Sequence, residues 1–487
     1  MLQVLWGLGG MALLLLIAFA MSENRRAVRP RTVLGALALQ VVFALAVLEW
    51  PLGKRALSAV SVGVQKVVDT SKEGIDFLVG PLIPPPNSGS TIFAFQVLPL
   101  IVFVASLTAV LYHWNILQWV VRVLGGALRR VLGTSQAESL NATANIFLGQ
   151  TEAPLVVRPY LAAMTRSEFF AVMVGGLATV AGSVMVGYAM LGARLDHLIA
   201  ASFMAAPAGL LMAKIVMPET ETSPRTPVSA AAGNAAPGSS GAEGSDAGGS
   251  GAGGSGTASS SAGSSSAVSS SAVSSSAGSS GADGSDDSGA EPASGAGDGE
   301  ARSGGGQVDD TEAVSTKPHN VIDAAATGAS DGLKLALNVA AMLFAFISLI
   351  GLLNLLLSAV GGLVGLPGLT FQQVLGWVFA PVMVAIGVPW HEAVLAGGFV
   401  GEKLAINEFL AFTDFGPHAA ALSEKTRVMV TFALTGFANF SSLAILLGGL
   451  GGLVPKRRPM IAKYGIRAVL AATLANLLSA TIAGMLS

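Results

Sequence analysis

Long apolar runs, separated by short basic or Gly- and Pro-rich connections, set the pattern of this chain. Eight stretches read as full bilayer spans: residues 4–21, 33–50, 92–119, 168–191, 198–217, 336–358, 426–450 and 464–486. Each approaches or exceeds the roughly 20 apolar residues that a helix needs to cross the hydrocarbon core. Segments 122–134 and 371–388 read as amphipathic stretches lying along the interface. Two further segments fit neither class. Residues 137–163 hold Gly149-Gln150-Thr151-Glu152-Ala153-Pro154, and residues 391–415 hold Gly401-Glu402-Lys403 and Asn407-Glu408-Phe409. Both are half-apolar, too short to cross twice, and polar at their middle. Re-entrant hairpins suit them, because irregular backbone at membrane depth survives only where it lines protein or a wet cavity.

The polar hairpin tips recur in register. Ser183, in the fourth span, follows Glu152 by 31 residues, and Asn439, in the seventh, follows Glu408 by 31. Thr179 and Thr435 each stand 27 residues after the same two glutamates. A polar hairpin followed by a span broken with small and polar residues therefore occurs twice. The first unit follows the third span and the second follows the sixth, so the two enter from opposite faces. That is the pattern of an inverted repeat whose broken helices meet near the bilayer midplane. The expected fold is all-α and polytopic, with eight transmembrane helices and two opposed re-entrant hairpins.

Composition agrees and adds direction. With 52% hydrophobic and 11% charged residues, the chain has too little charge to cover a soluble protein of its length. It has no cysteine, which excludes disulfides and thiolate chemistry. The net charge of −2 hides an asymmetry: thirteen acids and three bases lie between Glu219 and Lys317, leaving 24 bases against sixteen acids elsewhere. Residues 219–320 are almost entirely Ser, Gly, Ala and Asp, a composition that cannot bury enough apolar surface to offset its ordering entropy. This insert reads as a tolerated loop insertion, with a regulatory tail as the other reading. Arg25, Arg26, Arg29 and Arg31 join the first two spans, and Lys456, Arg457 and Arg458 join the last two. The positive-inside rule puts both connections, and the insert, in the cytoplasm and both termini outside. Val4 to Met21 reads as a retained first helix, since its basic residues follow the apolar run, whereas those of a signal peptide precede it.

Carboxylates at mid-membrane are costly and face a cavity or a partner. Glu152 and Glu408 are the clearest cases; the plainer reading makes each a helix cap or the partner of a base such as Lys403. The motif at 149–154 followed by Arg158-Pro159-Tyr160-Leu161, the run from Gly401 to Phe412, Ala201-Ser202-Phe203-Met204-Ala205-Ala206-Pro207, and Gly436-Phe437-Ala438-Asn439-Phe440-Ser441-Ser442 together resemble the concentrative nucleoside transporter family, here a bacterial sodium-coupled type. The resemblance implies a sodium-driven symporter that imports purine and pyrimidine nucleosides by an elevator-type movement. It also implies a homotrimer in the bacterial inner membrane. Substrate residues carried over are Gln150, Thr151, Glu152, Val184, Glu408, Phe437, Asn439 and Ser442. Sodium would be held by Asn145 and Thr179 side chains with the Leu148 and Val180 carbonyls, an all-oxygen set that suits a hard cation.

The chemistry of a nucleoside fits these assignments. An amide such as Gln150 offers one donor and one acceptor to a base edge, and a carboxylate such as Glu408 accepts from ribose hydroxyls. Val184 and Phe437 offer apolar contact, which ordinary core packing would equally explain. The implied division is residues 1–136 as scaffold helices, 137–218 as the first hairpin unit, 219–320 as the insert, 321–390 as the sixth span with its interfacial segment, and 391–487 as the second hairpin unit with the last span. Proton coupling, another small polar solute, a channel and a receptor stay open as alternatives. His391-Glu392 lacks the second histidine of a metalloprotease motif, with Leu395 in its place. Neither a phosphate-binding loop nor a nucleophile–base pair is readable, so no enzyme activity, resident cofactor or nucleic-acid partner is expected.

Overall fold

In the computed structural model, residues 2–82, 92–221, 318–363 and 365–487 are described. The insert expected at 219–320 falls almost wholly outside them. Among the described residues the chain is helical, with no strand. The first two spans are α1 (Leu2–Ala20) and α2 (Pro30–Ala44), the latter starting on a proline whose missing N–H costs a first turn nothing and running on as a π-turn to Glu49. The sequence reading missed α3 (Pro51–Val79), a long amphipathic helix that buries only Val68, Ser71 and Ile75. These positions recur at helical spacing, so one narrow stripe meets the protein. α4 (Phe93–His113) is the third span; it stops short of 119 because Asn115 adopts a left-handed conformation, φ 60°, before α5 (Ile116–Leu132).

The first hairpin follows as α6 (Gln136–Ala144), α7 (Ala153–Val156) and α8 (Arg158–Leu161). The fourth span is split into α9 (Arg166–Ala178) and α10 (Gly182–Met190), and α11 (Leu195–Val216) is the fifth. α12 (Val321–Leu363) is the sixth span and far longer than expected. Its 43 residues extend about 65 Å at 1.5 Å per residue, roughly twice the hydrocarbon thickness. α13 (Phe371–Ile386) turns by 117° into α14 (Trp390–Ala405), which with α15 (Glu408–His418) makes the second hairpin. The seventh span is split into α16 (Glu424–Leu434) and α17 (Ser441–Leu453), and α18 (Arg458–Leu486) is the last. Seven of the eight expected spans are long and apolar enough to cross a membrane. The remaining one, α16 and α17, is divided by its break into helices of 11 and 13 residues.

The two hairpins open toward opposite faces. On one face, Glu23 pairs with Arg166 at 3.2 Å and Arg467 at 3.1 Å, Arg457 donates to Ala162 and Met164 carbonyls, and Lys214 pairs with Glu138. The basic connections at either end of the chain and the open end of the first hairpin therefore lie together. On the other face, Arg194 pairs with Glu424 at 3.2 Å, Glu392 accepts from Ser423, and Gly416 of α15 abuts Gly192. Here the second hairpin opens.

Most spans pack into one body, in which α11 is almost wholly buried, α18 is buried along its second half, and α1 and α2 lie against them. α4 and α12 pack mainly on each other, and most of the α12 surface is exposed. Their seam depends on small residues, the usual means of bringing membrane helices close. A Cβ on Gly332 would meet Ala105 Cβ at 2.7 Å and Val102 Cα at 2.9 Å. Gly332→Leu should push the helices apart at a cost of about 1–3 kcal/mol. A clearly lower thermal midpoint of the purified protein in detergent is expected, and an unchanged one would show the seam to be adaptable.

Candidate functional site

The site grows from two broken helices whose ends touch. α9 stops at Thr179 and α16 stops at Thr435, the pair placed in register by the repeat, and each threonine hydroxyl donates back one turn, to Gly175 O at 2.9 Å and Thr431 O at 2.6 Å. Such back-bonding competes with the helix ladder and helps to end it. The breaks free carbonyls at membrane depth, and four of these find protein partners. Asn476 of α18 donates to Ala178 O at 2.7 Å and to Thr435 O at 2.9 Å, tying the two breaks together. Its oxygen accepts from Lys403 Nζ at 2.8 Å, and Lys403 also donates to Ala433 O at 2.7 Å. Phe437 N donates to Thr179 O at 3.2 Å. Only glycine fits at 436, where a Cβ would strike Asn476 and come within 2.7 Å of Ala178 O.

Both hairpin tips dock on this junction. In the first, Gly182 N donates to Phe147 O at 3.0 Å, and Gln150 Nε2 reaches Ser442 Oγ at 3.4 Å. The Gln150 oxygen is buried without a partner among the described residues. Thr151 packs on Gly449 of α17, and Glu152, exposed at the tip, accepts only a long bond from Gly149 N at 3.4 Å. In the second hairpin, Asn407 caps α15 by accepting from Leu410 N at 2.9 Å, which places Glu408 in the first turn. Its carboxylate accepts from Tyr188 OH at 2.9 Å and from Asn439 Nδ2 at 2.8 Å. Asn439 in turn caps α17, its oxygen accepting from Ser442 N at 2.7 Å and Ser441 Oγ at 2.8 Å. Val184 is buried on α10, and Phe437 is half-buried at the break.

The arrangement thus brings Gln150, Glu408, Asn439 and Ser442 into one hydrogen-bonded cluster, with Thr151 and Glu152 at its edge. It joins donors, pure acceptors and an unsatisfied amide oxygen, a set suited to a small polyhydroxylated solute with a planar polar edge. Lys403 makes no direct ion pair with either glutamate; its ammonium donates to a carbonyl and an amide.

The two segments that carry the four oxygens expected around a cation meet, with Asn145 Nδ2 near Gly175 of α9. Asn145 Nδ2 is held by Asn141 O at 2.9 Å, leaving Asn145 Oδ1 buried and without a partner. Leu148 and Val180 carbonyls accept no hydrogen bond among the described residues. The Phe147–Gly182 bond brings the turn carrying Leu148 beside the break carrying Thr179 and Val180. Orphaned oxygens in a dry turn fit a sodium ion in chemistry, and no His, Asp or Glu cluster suited to a transition metal is present among the described residues.

Three residues of this network were not singled out from the sequence: Tyr188, Asn476 and the carbonyl-binding role of Lys403. Asn476 carried a signal, being a lone amide inside an apolar span. Tyr188 carried none, since its ring is wholly buried between Phe409, at 4.8 Å, and Phe412, at 4.5 Å, and reads as core.

Three family models match the chain: the N-terminal part of sodium-dependent nucleoside transporters over residues 9–82, nucleoside recognition (Gate) over 94–195, and the C-terminal part of the same transporters over 291–484. An uncharacterized transporter of Bacillus subtilis is 44% identical over 99% of both chains. The nucleoside permease NupC of Helicobacter pylori is 40% identical, covering 99% of this chain and 97% of that one. Among solved structures, the transporter CNTnw in an inward-facing substrate-bound state superposes with a TM-score of 0.79 at 41% identity, over 99% of this chain and 98% of that one.

Asn476→Leu removes the donors that serve two freed carbonyls and the acceptor for Lys403. With each unpaired buried group costing about 1–3 kcal/mol, this substitution should lower the thermal midpoint far more than Gly332→Leu does. Loss of ligand binding with an intact midpoint would instead confine Asn476 to the site.

Proposed function

From its membership of the concentrative nucleoside transporter family, we propose that this chain imports nucleosides, purine and pyrimidine alike, with sodium by an elevator-type movement. One observation carries the substrate reading: the two hairpin tips meet on a single broken helix, Gln150 through Ser442 and Glu408 through Asn439. Gln150 would read a base edge with its free oxygen and its amide protons. Glu408 would accept the ribose hydroxyls, exchanging the Tyr188 or Asn439 donor for a sugar donor at little net cost. Thr151 and Glu152 would complete polar contacts, directly or through water, and Phe437 and Val184 would cover the faces of the base.

Sodium would lie between Asn145 Oδ1, Thr179 Oγ1 and the Leu148 and Val180 carbonyls. Its charge would draw the first hairpin onto the α9–α10 break and hold Gln150 in place, which couples ion and solute binding. The hairpins with α9–α11 and α16–α18 would move as the carrier, and α4 with α12 would stay as the fixed post. α1 and α2 would stay with that fixed part, presenting to α11 and α18 the surface along which the carrier slides. The basic face would be cytoplasmic, with both termini opposite it in a bacterial inner membrane. The exposed apolar side of α12 would meet lipid and the neighbouring subunits of a homotrimer.

Uptake of labelled uridine and adenosine into vesicles, with and without a sodium gradient, tests this reading. Sodium-dependent uptake of both is expected. Glu408→Gln should reduce it by about 10- to 100-fold, the loss of one or more hydrogen bonds to a charged acceptor. Thr179→Val keeps the shape and removes one ion ligand, so the sodium concentration for half-maximal uptake should rise steeply while uridine affinity at saturating sodium stays near the parent value. Uptake driven by a proton gradient alone, indifferent to sodium, would overturn the ion assignment.

A further inference from the structure

The second hairpin contains a carboxylate that neither the substrate cluster nor the cation oxygens use. Glu402 lies wholly buried on α14, and both of its carboxylate oxygens lack a hydrogen-bond partner among the described residues. It faces Asp414 of α15 and Gln372 of α13. Gln372 is oriented by α12: Asn354 Nδ2 donates to Gln372 Oε1 at 3.3 Å, while Asn354 Oδ1 accepts from Phe371 N at 2.7 Å.

Among the described residues no lysine or arginine pairs with the two carboxyls, and on α12, which packs on α13 and α15, Lys334 is paired with Asp331 at 3.2 Å. Lys403 is turned to Ala433 and Asn476, and α13 carries no charged residue. On α16, Arg427 pairs with Glu424 and Lys425 lies near Gly387, both at the open end of the hairpin. The one basic neighbour is His418 of α15, whose Nδ1 stands 2.8 Å from Asp414 O and 3.5 Å from its carboxylate. Side-chain exposure falls inward along this line, from 50% at His418 to 29% at Asp414 to none at Glu402. A bare anion in so dry a place is strongly disfavoured, and two adjacent carboxylates cannot both ionise without strong repulsion. A sodium ion would find few further oxygens there, since the Gln372 oxygen is already engaged. A proton needs only the two carboxyls.

We propose that Glu402 and Asp414 hold one exchangeable proton in the second hairpin, loaded through His418 from the face opposite the arginine-rich connections. The imidazole accepts a proton from water and passes it to Asp414, whose carboxyl shares it with Glu402; no bond other than those to the proton forms or breaks. The site is separate from the sodium-binding oxygens and stands whether or not sodium is the coupling ion.

The test uses the purified full-length protein and needs no nucleoside. Infrared spectra recorded through a pH titration follow the carbonyl band of protonated carboxylic acids. The parent should show a band that disappears as pH rises, and Glu402→Gln should remove that component. Asp414→Asn, at a partly exposed position, should leave a band that disappears at a pH lower by at least about one unit, because the neighbouring negative charge is gone. His418→Ala should slow exchange of that proton with deuterated solvent while leaving the band in place. If Glu402→Gln and Asp414→Asn both titrate as the parent does, the proposal fails. Should Glu402→Gln not purify, an unshifted Asp414→Asn band overturns it alone. Failure of nucleoside uptake in the vesicle assay would leave this result untouched.

Discussion

A helix broken inside a bilayer frees N–H and C=O groups that are costly to leave without a polar partner, and this fold depends on how it meets that demand. Asn476 stands at the centre of the answer. One amide, fixed on a helix that is itself buried for most of its length, serves a carbonyl from each of the two breaks and accepts from Lys403. The two halves of the inverted repeat are thereby joined by hydrogen bonds as well as by apolar contact. In a membrane this matters, since lipid competes well with apolar packing and poorly with a satisfied polar group.

The hydrogen-bonded cluster inherits its geometry from that junction. Ser442 and Asn439 stand at the start of α17, immediately past the second break, so their positions follow from where the break is held. The hairpins then need only modest contacts of their own to reach the same place. Lys403 connects the levels, as its stem leaves the second hairpin and its ammonium ends on the α16 terminus. Asn439 shows the same economy: its oxygen caps a helix and its nitrogen holds Glu408, so one residue serves both the helix and the cluster.

Much of this was legible in one dimension. A bilayer filters for apolar length, and a polar interruption in a short apolar segment has few explanations, so the spans, hairpins and repeat could be read from spacing alone. Thr179 and Thr435 fell in register because each ends a half-helix with the same back-bond. Other features depend on crossings that spacing does not encode. α3 was missed because its apolar stripe is narrow and diluted by lysines and acids. α12 outran its expected limits because Asp323, Asp331 and Lys334 made its first turns look like a connection. Tyr188 reads as core in any sequence, and its hydroxyl is functional only because α10 passes Glu408. The Glu402–Asp414 pairing likewise needs both arms of the hairpin to be placed before it exists.

Lys403 and Glu408 sit on the two arms of one hairpin, five positions apart in the chain, and are held to the same junction. A unit charge crossing the full membrane field gains or loses about 2.3 kcal/mol for every 100 mV. An ammonium and a carboxylate carried by the same rigid segment traverse equal fractions of that field in opposite sign. On the proposed carrier movement, the membrane voltage would do almost no net work on such a pair, however far the hairpin travelled. Voltage sensitivity would then rest with whatever charge the hairpins picked up on one side and released on the other.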